Sequence, residues 1–317
     1  MNSSIIIPAH NEAGVISRTL ESVLSSNLDS RHTEVIVVAS DCTDNTLDVA
    51  AAYFAERPTV LEQQYIEAGR GQQTALNAGI LAARGETIIC LDADVTVDPD
   101  TLAAMHQSLK REQATKLVGS LVLYNANELP LQPESLGKVL HAESLRKRSL
   151  GVRKSVQGGC LGFNSSDNFL FPESVTPNDV WISAMVADRY GLDSIDILMD
   201  KNTYSTPPQN WSDYIALRSR YAVAHLLLSQ EYPDLYYTVN QVTDFIEADR
   251  KRCDVDKIWQ QKCAAEGINL LGLLPLIKTI DRLVGDMVGS VSQELTETNG
   301  IWEPITSTKL LIGSNRS

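Results

Sequence analysis

The first hundred residues alternate between short apolar runs and stretches in which apolar residues recur every three or four positions. Three runs rich in isoleucine, valine and leucine predict buried strands: 4–7, 35–38 and 88–91. Three stretches have the helical spacing of apolar residues: 16–24, 49–53 and 76–83. Strands that alternate with helices in this way predict βαβ units on a parallel sheet with right-handed crossovers.

The rest of the chain contains longer elements. A further apolar run at 117–124 predicts another strand, and helical patterns follow at 181–186 and 211–228. From residue 239 to residue 295 the pattern is mostly helical and includes an apolar stripe at 270–291. We therefore expect an α/β fold, in which helices flank a mixed, mainly parallel sheet and a helical C-terminal region follows.

Composition narrows the classes of function. A formal charge of −13 over 317 residues argues against a general nucleic-acid-binding protein, which needs a basic surface. The five cysteines are widely spaced without a CxxC pair, which is typical of a reduced, cytoplasmic protein. No apolar stretch has the length of a membrane span, and the N-terminus lacks the pattern of a signal peptide. We expect a cytoplasmic location, with peripheral attachment to the inner membrane surface as the alternative.

An acidic triplet, Asp92-Ala93-Asp94, follows the third apolar run. In an open α/β sheet, ligands bind outside the carboxyl ends of the strands. Two carboxylates there suit Mg²⁺ or Mn²⁺, because these cations take one or two carboxylates and complete their shell with water and phosphate oxygens. The triplet therefore favours a metal-bridged diphosphate, and a solvated turn is the alternative interpretation.

Four segments together resemble one known family. In chain order they are Ile5–Glu12, Asp41–Thr46, Gly69–Gly79 and Leu91–Leu102. They are similar to the opening strand and turn, the second-strand turn, the basic loop with its helix, and the metal motif of the family 2 nucleotide-sugar glycosyltransferases, which have the GT-A fold. The clear resemblance covers residues 3–105, and thinner matches continue to residue 221.

The resemblance implies a domain organisation and a reaction. A catalytic domain at 1–235 would consist of a nucleotide-sugar-binding half, 1–105, and an acceptor half, 106–235, with a helical extension at 236–317. The reaction would be an inverting, metal-dependent transfer of a sugar from a nucleoside diphosphate donor to an acceptor hydroxyl. A UDP-sugar is the leading donor on family frequency, with guanosine and thymidine donors open. The acceptor is left open among sugars, lipids and small molecules.

The resemblance also implies roles for single residues. Asp94, with Asp92, would hold Mg²⁺ or Mn²⁺, and Asp179 would be the general base for the acceptor hydroxyl. Arg218 and Arg220 stand where processive synthases carry a Gln-Arg-x-Arg-Trp motif, and they would bind the diphosphate. Eight residues would make the remaining donor contacts: Pro8, Ala9, Asn11, Glu12, Asp41, Arg70, Asp92 and Ala93.

The chain departs from the family pattern at three places. Many relatives have paired aspartates at the end of the second strand, where this chain has Ala39-Ser40, so Asp41 either reads the base or only caps a helix. The family has an acidic pair where this chain has Asn178 followed by a single acid. The glutamine and tryptophan of the arginine motif are missing at 217–221, which disfavours a processive synthase. Two other acids are alternative candidates for the general base: Asp167 and Glu173.

Other functions stay open on the sequence. The alternatives are a retaining soluble glycosyltransferase of the same fold, a sugar-phosphate nucleotidyltransferase and an inactive nucleotide-binding scaffold. The basic segment 141–148, extended by Arg153 and Lys154, either attracts an anionic acceptor or is a solvated helix face. The glycines within 157–163 either form a plain turn or, as the resemblance implies, lie beneath the donor sugar. The C-terminal stripe packs on the catalytic domain, forms a homo-oligomer contact or docks on a membrane.

Overall fold

The computed structural model describes residues 1–57, 59–111, 114–131, 134–149, 155–172, 178–235 and 252–297. The alternative base Glu173 and the basic residues Arg153 and Lys154 lie outside the described residues, and so does the side chain of Arg220.

Within the described residues, eight strands form one mixed sheet in the order β3-β2-β1-β4-β7-β6-β8-β5. The pairs β1–β2, β2–β3 and β1–β4 are parallel, whereas β4–β7, β6–β7 and β5–β8 are antiparallel. The strands are β1 (Ser3–Ala9), β2 (Thr33–Ser40), β3 (Glu62–Ala68), β4 (Thr87–Leu91), β5 (Val95–Val97), β6 (Leu117–Tyr124), β7 (Cys160–Asn164) and β8 (Ile195–Ser205).

Helices flank this sheet and dominate the C-terminal part of the chain, so the predicted fold class is confirmed. The α-helices of the described residues are α1 (Ile16–Leu24), α2 (Thr46–Ala55), α3 (Gln72–Ala82), α4 (Thr101–Arg111), α5 (Glu134–Ser149), α6 (Asn178–Tyr190), α7 (Trp211–Glu231), α8 (Arg252–Ala265) and α9 (Leu270–Glu297).

Strands β1, β2 and β4 are buried along their whole length. Parallel strands covered on both faces are continuously apolar, which is why these three were recognisable from sequence. Helix α3 packs closely on this centre, because a Cβ on Gly79 would lie 2.4 Å from a methyl carbon of Ile6 and 3.2 Å from one of Val38. Glycine therefore allows α3 to approach the sheet, and this contact sets the position of the loop that precedes the helix.

Several strands were not predicted. Edge strand β3 has the sequence EQQYIEA, and all seven of its residues are partly or fully exposed. The glycine-containing segment 157–163 does not form only a turn, since its second half enters β7. Strands β5 and β8 pair with each other and also lack a continuous apolar run.

The chain divides into two compact units. The first unit, residues 1–123, 150–206 and 237–249, carries the sheet and its main hydrophobic core. The second unit, residues 124–149, 207–236 and 250–317, is helical in its described part, and its cores join α5 and α7 to α9 and α5 to α8. The division predicted from the sequence, at residues 105 and 235, stays a prediction.

The described residues contain no single helix with both the length and the apolar character of a membrane span. By length and composition alone, one pair of helical segments meets these criteria together, Lys257–Ala265 and Leu270–Met287, which are bent by 119° at the break between them.

Candidate active site

The carboxyl ends of the parallel strands meet at one edge of the sheet. The register pairs Ala9 of β1 with Ala39 of β2, and Ser40 of β2 with Ala68 of β3. The loops that follow these strands, together with the turn after β4, therefore lie at the same edge, where ligands of open α/β sheets bind. All four sequence segments that carry the family resemblance contribute to this edge.

The acidic triplet follows β4 directly and is held from two directions. Asp92 donates its backbone N–H to the carbonyl of Gly159 at 3.2 Å, and the hydroxyl of Thr19 donates to the carbonyl of Ala93 at 2.7 Å. Ala93 is buried, Asp92 is half-buried and Asp94 is exposed. The turn therefore presents two carboxylates at this edge, one partly enclosed by protein and one open to solvent.

Asp92 lies in a strongly negative environment. Burial, followed by the charges of Asp94 and Asp179, raises the pKa of Asp92 to about 8. The charge of Glu12 acts in the same direction, whereas the side-chain amide of Gln72, which donates to Oδ1 of Asp92 at 3.2 Å, opposes it. Carboxylates from three distant parts of the sequence, at residues 12, 92–94 and 179, therefore affect one another electrostatically.

This donor set suits a hard divalent cation that brings part of its own shell. No group of three His, Cys, Asp or Glu among the described residues is arranged to hold a metal alone. Asp92 and Asp94 offer the one or two carboxylates that Mg²⁺ or Mn²⁺ takes, and phosphate oxygens and water supply the rest of such a shell. The residues therefore fit a cation bound together with a diphosphate, and a positive charge here would relieve the repulsion that raises the pKa of Asp92.

Asp179 lies in the first turn of α6, and backbone groups fix its carboxylate. The N–H of Gly158 donates to Oδ2 at 2.9 Å, and the N–H of Val180 donates to Oδ1 at 2.9 Å. The hydroxyl of Ser183 donates to the backbone carbonyl of Asp179 at 2.7 Å. Hydrogen bonds to a carboxylate stabilise its ionised form, which is the form that accepts a proton.

A glycine pair joins the two acidic sites. The carbonyl of Gly159 accepts from Asp92, and the N–H of the preceding Gly158 donates to Asp179. A Cβ on Gly159 would lie 3.4–3.5 Å from Val122 and Val95, so this backbone is closely packed. The sequence marked these glycines but gave no sign that one dipeptide holds both carboxylate-bearing segments.

Asn11 links the loops that follow β1 and β2. Its φ of 58° lies in the left-handed region, and its side-chain carbonyl accepts from the N–H groups of Thr43 at 2.7 Å and Asp44 at 3.3 Å. The N–H of Asn11 approaches the sulfur of Cys42 at 3.3 Å, and that thiol donates to the carbonyl of Ala9 at 3.4 Å. The side-chain carbonyl of Asn11 therefore holds the loop after β2 by accepting hydrogen bonds from its backbone.

The other predicted donor-binding residues lie in the same region. Pro8 and Ala9 end β1 and are buried, and the half-buried Glu12 follows, its N–H donating to the hydroxyl of Thr46 at 2.9 Å. Asp41 is exposed with a φ of 50°, which is uncommon for a residue with a side chain. Arg70 is exposed, and it pairs with no carboxylate of the described residues.

Arg218 belongs to the second unit and has other partners. Its guanidinium donates to Glu143 at 3.0 Å, to the hydroxyl of Tyr214 at 2.8 Å and to Asp281 at 2.8 Å, and the Tyr214 hydroxyl donates to Glu143 as well. Two carboxylates therefore already neutralise this arginine. Asp167, an alternative base, follows β7 and forms an ion pair with Lys116 at 3.2 Å.

The comparisons with known proteins agree with this arrangement. The family model described as glycosyl transferase family 2 matches residues 4–171. The chain is similar to the probable glycosyltransferase YdaM of Bacillus subtilis, at 33% identity over 39% of this chain and 30% of that one. It is also similar to the succinoglycan biosynthesis protein ExoO of Rhizobium meliloti, at 32% identity over 52% of this chain and 44% of that one. The matched regions thus cover less than half of either relative.

The fold has a counterpart among solved structures. The mannosyltransferase PcManGT of Pyrobaculum calidifontis superposes with a TM-score of 0.56 at 17% identity, over 96% of this chain and 88% of that one. At this identity the likeness concerns the fold alone. The family model spans more than half of the chain, and so this protein belongs to glycosyl transferase family 2.

Proposed function

We propose that this protein transfers a sugar from a nucleoside diphosphate donor to an acceptor hydroxyl, with Mg²⁺ or Mn²⁺, and inverts the anomeric centre. The observation that carries the proposal is the convergence of the Asp92-Ala93-Asp94 turn and Asp179 on one dipeptide, Gly158-Gly159, which hydrogen-bonds to both segments. The raised pKa of Asp92 agrees with this arrangement. Membership of glycosyl transferase family 2 supports it. PcManGT was solved in complex with GDP-Man and Mn²⁺, a donor and a cation of the classes proposed here.

The donor diphosphate binds at the carboxyl edge of the parallel strands. Asp94 and Asp92 hold the cation, which when bound supplies Lewis-acid stabilisation of the charge on the leaving diphosphate. Arg70 adds a second positive charge from the neighbouring loop, and its planar guanidinium suits two phosphate oxygens at once. We leave Arg218 out of the proposed donor site, because its guanidinium already donates to Glu143, Tyr214 and Asp281.

Asp179 acts as the general base. The N–H groups of Gly158 and Val180 donate to the two oxygens of its carboxylate, and a carboxylate oxygen is the kind of acceptor that can take a proton from a hydroxyl. Two fixed backbone donors also set the orientation of the carboxylate, which is what a base needs to meet the attacking hydroxyl in line with the departing diphosphate. A single displacement of this kind inverts the anomeric centre.

Uridine is the proposed base of the donor, and Asp41 is the proposed residue that reads it. Asp41 is exposed at the edge where the donor binds, and its left-handed backbone places it in a strained turn, which is common at ligand sites. A guanosine or thymidine donor is distinguished from this proposal by the donor panel below.

The test is release of the nucleoside diphosphate from a panel of UDP-, GDP- and dTDP-sugars, with and without Mn²⁺. We expect release from the UDP-sugars, and loss of that release in Asp94→Ala; release from only the GDP- or dTDP-sugars would keep the transfer and overturn the choice of uridine. The matched control is Asp100→Ala, which removes another exposed carboxylate near β5 and keeps the activity. Absence of release from every donor, or formation of a nucleoside triphosphate from the donor and pyrophosphate, contradicts the proposal.

A further inference from the structure

The hydroxyl of Ser40 joins two strand-end loops at the donor edge. Ser40 ends β2 and is buried, with its Oγ 3.1 Å from the carbonyl of Gly69 and 3.2 Å from that of Gly71. The N–H of Gly71 in turn donates to the same Oγ at 2.9 Å. A hydroxyl has one proton to donate, so the two carbonyls share it while the oxygen accepts the amide.

The backbone of Ser40 extends the link to the loop after β1. Nδ1 of His10 lies 2.5 Å from the carbonyl of Ser40. A carbonyl only accepts, so Nδ1 carries a proton. The side-chain amide of Asn11 lies 3.3 Å from Nε2 of the same ring. Three strand-end loops are thus connected through one residue.

The loop held by Ser40 carries Arg70 between two glycines. Glycines give a loop many alternative conformations, so a glycine-flanked residue stays ordered only where other contacts hold the loop. Gly71 has a φ of 121°, and α3 begins at the next residue, Gln72, whose amide donates to Asp92. Movement of this loop would therefore displace Arg70 and the partner of Asp92 together.

We propose that Ser40 is a positioning residue that sets donor affinity by holding the 69–71 loop, and that it acts through Arg70 without contacting the donor. This inference rests on the proposed donor site. The Ser40 side chain is buried, and its proton and one lone pair are used by the backbone of the loop, so these hydrogen bonds serve the loop. The position where many relatives have an aspartate serves here to organise the neighbouring loop.

The first test needs no ligand. Ser40→Ala should increase amide hydrogen exchange at 69–72 in the free protein. The matched control is Ser4→Ala at the opposite end of the strands, where the hydroxyl also bridges two segments by donating to Glu34 and accepting from Gly85. That variant should lower the melting temperature and leave exchange at 69–72 unchanged. Unchanged exchange at 69–72 in Ser40→Ala overturns the positioning role whatever the donor is.

The second test is a double-mutant cycle on binding of UDP, GDP and dTDP with Mn²⁺. We expect Ser40→Ala to weaken binding about tenfold in the wild-type background, and less than about twofold when Arg70→Ala is already present, because contacting or coupled residues are non-additive. Equal losses in both backgrounds, or no loss, overturn the inference. If the wild type binds no nucleoside diphosphate, the proposed function fails, and with it the donor-affinity part of this inference.

Discussion

Replacing Asp179 by asparagine separates a catalytic role from a structural one. The carboxylate accepts from two backbone N–H groups, those of Gly158 and Val180. An asparagine keeps one carbonyl oxygen for one of them and turns its NH₂ toward the other. An unpaired buried donor costs about 1–3 kcal/mol, and the lost negative charge near a helix N-terminus costs roughly 0.3–1 kcal/mol.

One effect partly offsets the loss of stability in Asp179→Asn. The substitution also removes a charge that repels Asp92. For a domain of about 200 residues, 1 kcal/mol shifts the melting temperature by roughly 2–4 °C. We therefore expect Asp179→Asn to melt within about 10 °C of the wild type.

The effect on transfer should be far larger than the effect on folding. An amide does not take the proton of the acceptor, and loss of a general base typically lowers the rate by about 10²–10⁴-fold. Loss of a group that acts only in the transition state lowers kcat with little change in donor affinity. Initial rates of transfer and calorimetric binding of the nucleoside diphosphate, measured on the same preparation, separate the two quantities.

The matched control for this experiment is Asp213→Asn. Asp213 also lies in the first turn of a helix, α7, where its carboxylate accepts from the side chain of Asn210 at 2.7 Å. This variant loses the same helix-start charge and should keep near-normal transfer. If Asp179→Asn retains more than about a tenth of wild-type transfer, or if its loss follows reduced donor binding, Asp179 is not the base.

Two further predictions concern stability. Glu34 is buried and bonded to Arg84, Ser4 and Gln64; burial raises the pKa of its carboxyl, but these hydrogen bonds lower it more, to below its usual value. Glu34→Gln should lower the unfolding free energy by about 1.5–3 kcal/mol in urea denaturation at pH 7. The difference from the wild type should shrink as the pH falls below ~4.3, the ordinary pKa of a glutamate in the unfolded chain. A carboxyl whose pKa is lowered by folding stabilises the folded state only while it is ionised, and this contribution is lost as the pH falls through its folded-state pKa. Arg218→Met should lower the melting temperature, because the lost hydrogen bonds contribute about 1–3 kcal/mol to folding. The affinity for the nucleoside diphosphate should change less than about twofold. A larger loss of affinity would indicate that Arg218 binds the donor.

The strands that could be predicted from the sequence are buried on both faces. Strands β1, β2 and β4 are buried on both faces, so their apolar runs were sufficient to predict them. Edge strand β3 pairs only with β2 in the described sheet, and its side chains do not alternate between apolar and polar. It is held by backbone hydrogen bonds to β2, and backbone hydrogen bonds leave no pattern in the sequence.

The candidate site was predictable only in part, for a similar reason. The Asp92-Ala93-Asp94 turn followed from its place after a buried strand. The electrostatic coupling of Asp179 to Asp92 depends on the pairing of β7 with β4. The hydrogen bonds between Ser40 and the 69–71 loop depend on the pairing of β2 with β3. These are contacts between distant segments, and no local spacing encodes them.

We propose above that Asp94 helps to hold a cation that binds together with the donor diphosphate. The most direct measurement is calorimetric titration of UDP, GDP and dTDP into the wild type, Asp94→Asn and Asp100→Asn, each with and without Mn²⁺. We expect Mn²⁺-dependent binding of one nucleotide in the wild type and in Asp100→Asn, and a loss of at least about tenfold, or ~1.4 kcal/mol, in Asp94→Asn. Equal affinity in all three proteins, or binding indifferent to Mn²⁺, would contradict the proposal.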